Sequence, residues 1–190
     1  MTTSITTVQA TLSDLVGTWT LDPSHSRIGF VARHAMVTKV RGAFNEFEGS
    51  AVVSGDDFGG STASLIIKTA SIDTRNDQRD GHLRSNDFLA MDEYPEIVFV
   101  STAVSRSGAT TLDITGDLTI KGVTQAVTVP FEFEGLATDP FGNLRAGFEG
   151  AVTINRKDYG ITWNAALETG GVLVSDKIAL EFEISAIKNA

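Results

Sequence analysis

The chain has 190 residues, 42% hydrophobic and 21% charged, which describes one globular domain with an ordinary core and excludes a disordered chain. Zero cysteines exclude disulfides, thiolate metal sites and cysteine nucleophiles. Fifteen basic against 24 acidic residues give a net charge of −9, which repels phosphate backbones and anionic membrane surfaces and argues against nucleic acid as a partner.

Residues 1–15 are Thr-rich, and a flexible N-terminal tail is expected there, with 16–190 forming a single domain. The first basic residue is Arg27, so no basic start of a secretory signal precedes it, and no apolar run approaches the roughly 18 residues of a membrane-spanning helix. The reading is a cytoplasmic protein without stable membrane insertion.

The β-branched content, 22 Thr, 16 Val and 13 Ile, suits a protein made mostly of sheet. Strands are expected over Val16–Leu21, Ser26–His34, Phe44–Ser54 and Thr62–Ala70, separated by turn signals such as Ser54-Gly55-Asp56-Asp57 and Gly59-Gly60. The segment Asp73–Met91 lacks period-2 patterning and is expected to be the one substantial helix, with Asp73 as a candidate N-cap and Gly81 as a weak point. Strand Pro95–Ser105 follows. Next comes the cleanest alternation: Leu112, Ile114, Gly116, Leu118 and Ile120 on one face against Asp113, Thr115, Asp117, Thr119 and Lys121 on the other. Val127, Val129, Phe131 and Phe133 repeat it, as do Phe148, Val152 and Ile154, and then Ile178, Leu180, Phe182 and Ile184. About nine strands with short connections and no βαβ alternation imply an antiparallel sheet. Its dry face either packs on a second sheet or curls to line its own interior, and periodicity does not separate the two.

Catalytic motifs are missing. There is no Gly-x-Ser-x-Gly elbow, no P-loop and no dinucleotide fingerprint, and the three histidines, His25, His34 and His82, have no spacing that suits a shared metal. The Asp56-Asp57 pair sits in a turn, where Asp is favoured for backbone reasons. No cofactor or metal is implied.

Charge is more informative. From Pro23 to Asn45 there is no acidic residue, while Arg27, Arg33, Lys39 and Arg41 are basic. Arg27 and Arg33 alternate with the dry face and read as a solvated strand face. His34 shares the parity of Ile28 and Phe30, and Arg156 continues the row of Phe148, Val152 and Ile154. In an up-and-down meander the strands ending at His34 and near Arg156 reach one rim, together with the start of the segment that carries Arg79 and His82. A basic mouth over an apolar lumen is the expectation.

The motifs Trp19-Thr-Leu-Asp-Pro-Ser-His25-Ser26, Ile28-Gly-Phe30-Val-Ala-Arg33-His34 and Gly42-Ala-Phe44 resemble the opening of the YceI-like polyisoprenoid-binding family. Ser71-Ile-Asp-Thr74, Arg79-Asp80-Gly-His82-Leu83-Arg-Ser85-Asn-Asp87-Phe88 and Tyr94-Pro95-Glu-Ile-Val-Phe99 resemble its central block. Gly116-Asp-Leu118-Thr119-Ile-Lys121-Gly122-Val-Thr124 and Arg156-Lys-Asp158-Tyr159-Gly160 resemble its last motifs. The resemblance implies an all-β, lipocalin-like, closed antiparallel up-and-down barrel whose pore holds a polyisoprenoid, an isoprenoid quinone or another long-chain lipid, without catalysis as a general property.

The expected pore residues are Ile28, Phe30, Phe99, Leu118, Ile120, Val129, Phe131, Phe133, Phe148, Ile154, Leu180 and Phe182. The expected head-group residues at the rim are His34, Arg79, His82 and Arg156. A homodimer is the base-rate oligomer. The rival readings are an enzyme acting on a prenyl lipid through His34 or His82, and a structural barrel with a filled core.

Overall fold

The period-2 rows become eleven strands in one antiparallel sheet in a computed structural model that describes residues 9–190. The strands are β1 (Gly17–Leu21), β2 (Arg27–His34), β3 (Thr38–Phe44), β4 (Phe47–Val53), β5 (Thr62–Lys68), β6 (Ile72–Asp73), β7 (Glu96–Arg106), β8 (Thr111–Ile120), β9 (Val123–Thr138), β10 (Leu144–Asn155) and β11 (Lys177–Lys188). The sheet closes on itself because β1 pairs both with β4 and with β11, with Trp19 opposite Lys188. The ring β1-β4-β5-β7-β8-β9-β10-β11 is an eight-stranded barrel, with β2, β3 and β6 as its continuations. The closed barrel is therefore the solution the chain adopts, and two sheets packed face to face are not.

Two of the long strands are broken. β1 and β2 are not antiparallel neighbours; they lie end to end along β11, with Leu21 opposite Ala186 and Arg27 opposite Glu183. Pro23, which has no N–H to give the ladder, sits in the gap, and the Asp22 carboxylate accepts from the Ser24 amide at 3.0 Å. The Ser26 hydroxyl accepts from Ser185 N–H at 2.9 Å, so a side chain replaces the missing ladder group. β3, which the sequence reading left unassigned, pairs along β2 from Phe44 to Thr38 and is continued by β4 after a bend at Asn45-Glu46. The hairpin between β8 and β9 turns through Lys121 and Gly122, both at positive φ, as a two-residue connection requires.

Two expectations about the ends need correction. The helix is not Asp73–Met91 but the shorter α1 (Asp77–Arg84). Asp73 belongs to β6, and the N-cap is Asn76, whose side chain accepts from Arg79 N–H at 2.9 Å. Leu83 is the one large apolar residue in α1, so no apolar stripe extends it. Ser85 ends it by donating its hydroxyl to the His82 carbonyl, and Phe88, Leu89 and Ala90 are buried in the turns that follow. Gly81 lies inside the helix and is not what limits it.

The second correction concerns the tail. Leu12 and Leu15, in a 3₁₀ turn at Leu12–Leu15, are fully buried under the lower end of the barrel, so hydrophobic burial anchors this part of the expected tail. Residues 1–8 of that tail lie outside the described residues. Among the described residues no helix is long and apolar enough to cross a membrane.

Candidate functional site

The inward rows enclose a cavity of about 330 Å³, within the lower range of small-molecule sites. Its wall is hydrocarbon almost throughout. Along β11 the lining runs from Ile178 to Ala186, which at about 3.3 Å per residue and a tilt near 40° corresponds to roughly 20 Å of barrel height. Leu15, Trp19 and Phe58 bound the lower end, and Leu83, Phe88, Tyr159 and Arg156 the upper end.

The space stays open because of how its aromatic rings are seated. Phe131 lies opposite Gly150 on the neighbouring strand, and a β-carbon there would stand 2.6 Å from the ring. Phe30 lies opposite Gly42 in the same way, and Phe99, paired with Leu118, reaches diagonally over Gly116, where a β-carbon would stand 2.5 Å from its ring. Each ring therefore occupies the space that any other residue's β-carbon would need at that glycine.

Of the expected pore residues, Ile28, Phe30, Phe99, Leu118, Ile120, Val129, Phe131, Phe148, Ile154, Leu180 and Phe182 line the cavity. Phe133 does not. It is 5% exposed and packs with Leu12, Leu15, Phe58 and Ala146 in the cluster that stoppers the lower end, its ring 5.5 Å from Phe148. Parity puts Phe131 and Phe133 on one face, and their different heights in the barrel give them different jobs.

The rim residues share the upper end, as the strand-direction argument expects, but they do not assemble an open basic mouth. Arg156 lines the cavity yet is 4% exposed, and its guanidinium donates to the carbonyls of Ser175 at 2.9 Å, Ile161 at 2.9 Å and Trp163 at 2.8 Å. The irregular segment 160–176 leaves these carbonyls without a ladder, and the fork of the guanidinium supplies the donors. Arg79 donates to the Thr74 hydroxyl at 2.7 Å and to its carbonyl at 2.8 Å, while buried Asp80 accepts from the Thr74 amide at 2.9 Å. His82 bonds Asp87 at 2.8 Å and stands edge-on to Trp163, ring centroids 4.6 Å apart. His34 is exposed, and its backbone bridges to Val174. Arg79 and His82 thus brace the turns around α1, Arg156 braces the 160–176 segment while still lining the lumen, and His34 stays at the surface.

Among the wall residues that sequence alone does not single out is Tyr159. It is 2% exposed and lines the cavity, and among the described residues its hydroxyl has no hydrogen-bond partner. Burial pushes its pKa up to about 12, with Asp158 acting in the same direction. The motif that contains Arg156 also contains Tyr159, but a tyrosine three residues beyond a strand gives no signal of facing inward. A second feature escaped as well: Arg145 donates to Asp22 at 2.6 Å and to Asp139 at 2.8 Å, across 123 residues in the first case.

The YceI-like domain model matches residues 19–186. The UPF0312 protein SAS2572 of Staphylococcus aureus (strain MSSA476) is 43% identical over 171 residues, covering 88% of this chain and 95% of that protein. Burkholderia cenocepacia BcnA has a similar structure, with a TM-score of 0.76 at 24% identity over 87% of this chain and 98% of that one. The Campylobacter jejuni YCEI protein matches with a TM-score of 0.68 at 28% identity, covering 83% and 90% of the two chains. A polyisoprenoid binding domain from Saccharophagus degradans, implicated in plant cell wall breakdown, gives a TM-score of 0.68 at 16% identity over 90% and 98%. On the extent of the domain match and the identity to the staphylococcal relative, the chain belongs to the YceI-like domain family.

Proposed function

We propose that this protein binds the chain of a long amphiphilic lipid, a polyisoprenoid, an isoprenoid quinone or a comparable molecule, and sequesters or carries it without turnover. The observation that carries the reading is a hydrocarbon-walled cavity about as tall as the barrel, kept open by phenylalanine rings resting on glycines. Each buried CH₂ is worth about 0.8 kcal/mol gross, so ten of them contribute about 8 kcal/mol before the cost of association. Tight binding needs no strong polar contact.

The described relative of this fold from Saccharophagus degradans is named for polyisoprenoid binding, which agrees with this reading. The residues that would grip the chain are those of the wall, Phe30, Phe99, Phe131 and Leu180 among them. A head group at the upper end would meet Arg156 and Tyr159, the cation and the phenol of the wall among the described residues. A cytoplasmic site of action and a two-fold dimer belong to the same proposal, and cell fractionation and light scattering check them.

The test is organic extraction of the purified protein followed by mass spectrometry, with uptake of a fluorescent long-chain fatty acid by delipidated protein alongside. A co-purifying lipid of prenyl or similar length, recovered unchanged after incubation, is the expected result. Protein that releases no such lipid and takes up no probe overturns the proposal, and a recovered lipid that is chemically altered on incubation favours the enzyme instead.

A further inference from the structure

The hairpin that joins β2 to β3 breaks local rules in three places at once. Its turn places Ala35 and Met36 at positive φ, where Asn-Gly is the usual pair, and Val37 N–H bonds the His34 carbonyl at 3.1 Å. Its tip carries Met36, 54% exposed, and Val37, 76% exposed. Directly below the tip Arg33 and Lys39 face each other across the strands, a like-charge pair that a hairpin built for stability alone avoids. Both are exposed, and among the described residues neither makes an ion pair, whereas Arg27 and Arg41 have Glu181 at 3.8 Å and 3.6 Å.

The pattern is an apolar point with unpaired cations one step behind it, on a protein of net charge −9. We propose that the β2–β3 tip docks the protein on an anionic lipid surface, Met36 and Val37 entering the headgroup boundary and Arg33 and Lys39 pairing with lipid phosphates. Charge complementarity selects this occupant: the two unpaired cations beside the apolar tip attract an anionic surface locally, against the net repulsion of the chain as a whole. The neighbouring loop comes close enough that a β-carbon at Gly171 would stand 3.8 Å from the Met36 side chain, and it adds exposed Val172, with Glu168 as its one acid. β2 also carries Phe30 and Ala32 on the cavity wall, so the docked element continues directly into the lumen. The proposal does not depend on which lipid the lumen holds.

A second exposed apolar tip serves as the internal control. Phe141, 90% exposed at the β9–β10 turn, has Asp139 rather than free cations beside it. Flotation of the full chain with vesicles of pure phosphatidylcholine and of equimolar phosphatidylcholine and phosphatidylglycerol tests the proposal. Binding is expected to the anionic vesicles only. Arg33→Gln with Lys39→Gln should weaken it about 25-fold, roughly fivefold per cation near the surface. Raising the salt toward about 1 M, where screening shortens to about 3 Å, should weaken it similarly. Met36→Ser with Val37→Ser should also weaken it, and Phe141→Ser should leave it unchanged. All five positions are at the surface, and circular dichroism establishes that the variants fold. Absence of binding to anionic vesicles, binding unaffected by the Arg33 and Lys39 changes, or binding lost with Phe141→Ser each overturns the proposal.

Discussion

The lower end of the barrel and its lumen are built from the same kinds of residue and differ in what those residues touch. At the lower end Leu12, Leu15 and Phe58 from outside the strands meet Trp19, Leu112 and Phe133 from within, and every one of these is at most 5% exposed. The Trp19 indole N–H is satisfied by the Leu15 carbonyl at 2.7 Å, so this end is a dry, finished core. One turn higher the rows of Phe131, Phe30 and Leu180 have no such inserted partners, and glycines take the rings against the wall. An inward-facing phenylalanine is therefore core or lining according to whether another segment of chain fills the space in front of it.

The largest effects should separate these two regions on one strand. Phe133→Ala removes a ring packed on all sides and should cost about 3–5 kcal/mol in chemical denaturation. Phe131→Ala, two residues away on the same face, should cost below about 2 kcal/mol in delipidated protein because part of its ring already faces open space. Restoring lipid should widen the loss for Phe131→Ala, since bound ligand stabilises by mass action and the truncated wall grips it less. Equal losses at the two positions would erase the distinction between stopper and lumen.

The upper end is closed differently, by backbone carbonyls gathered on a guanidinium. Arg156→Met should therefore destabilise by about 3 kcal/mol, because the carbonyls of Ser175, Ile161 and Trp163 lose a buried donor while the apolar stem is kept. Limited proteolysis should then cut within 160–176 before anywhere in the lower end. A loss below about 1 kcal/mol would mean that the loop holds itself without this residue.

The seat beneath Phe131 can be filled. Gly150→Ala should cost about 1–2 kcal/mol from overpacking and should lower uptake of a long-chain probe by tilting the ring into the lumen. Adding Phe131→Ala to Gly150→Ala should recover much of both losses, a non-additivity expected only if the two residues are in contact. Additive effects would remove the role assigned to the glycine.

The smallest effect lies at the lower end and depends on pH. The Asp22 carboxyl is held well below the usual range by the Ser24 hydroxyl and then by Arg145, and that of Asp139 by the Asn143 amide and then by Arg145. As pH falls below about 5 the unfolded chain takes up protons that these folded carboxylates refuse, so the stability they contribute is present above the ordinary carboxylate pKa and is lost in acid. Urea midpoints measured between neutral pH and about pH 3 should fall, and Arg145→Met should lower the neutral value and flatten the slope. An unchanged slope would show that Arg145 does not set these carboxylates.

Strand identity was legible because it is local: alternation along Leu112–Ile120 or Ile178–Ile184 depends only on which side of a pleat each residue faces. Eleven of the twelve expected pore residues line the wall for the same reason, and the turn role of Asp57, whose carboxylate accepts from the Gly59 amide at 3.1 Å, was legible too. Closure of the barrel was not, since it rests on Trp19 meeting Lys188, a pairing no window contains. Nor was the end-to-end stacking of β1 and β2, which becomes evident only when both are laid along β11. Parity could place Phe131 and Phe133 inside but had no means to tell them apart, because Leu12, Leu15 and Phe58 arrive from distant sequence. It likewise offered Arg156 as a rim charge, whereas the tertiary structure surrounds that charge with carbonyls stranded by the 160–176 segment. Amino-acid order by itself determined which residues turn inward, a property of each strand's own backbone. Tertiary structure alone decided what each inward residue meets there, because filled and empty space are made by segments far apart in the chain.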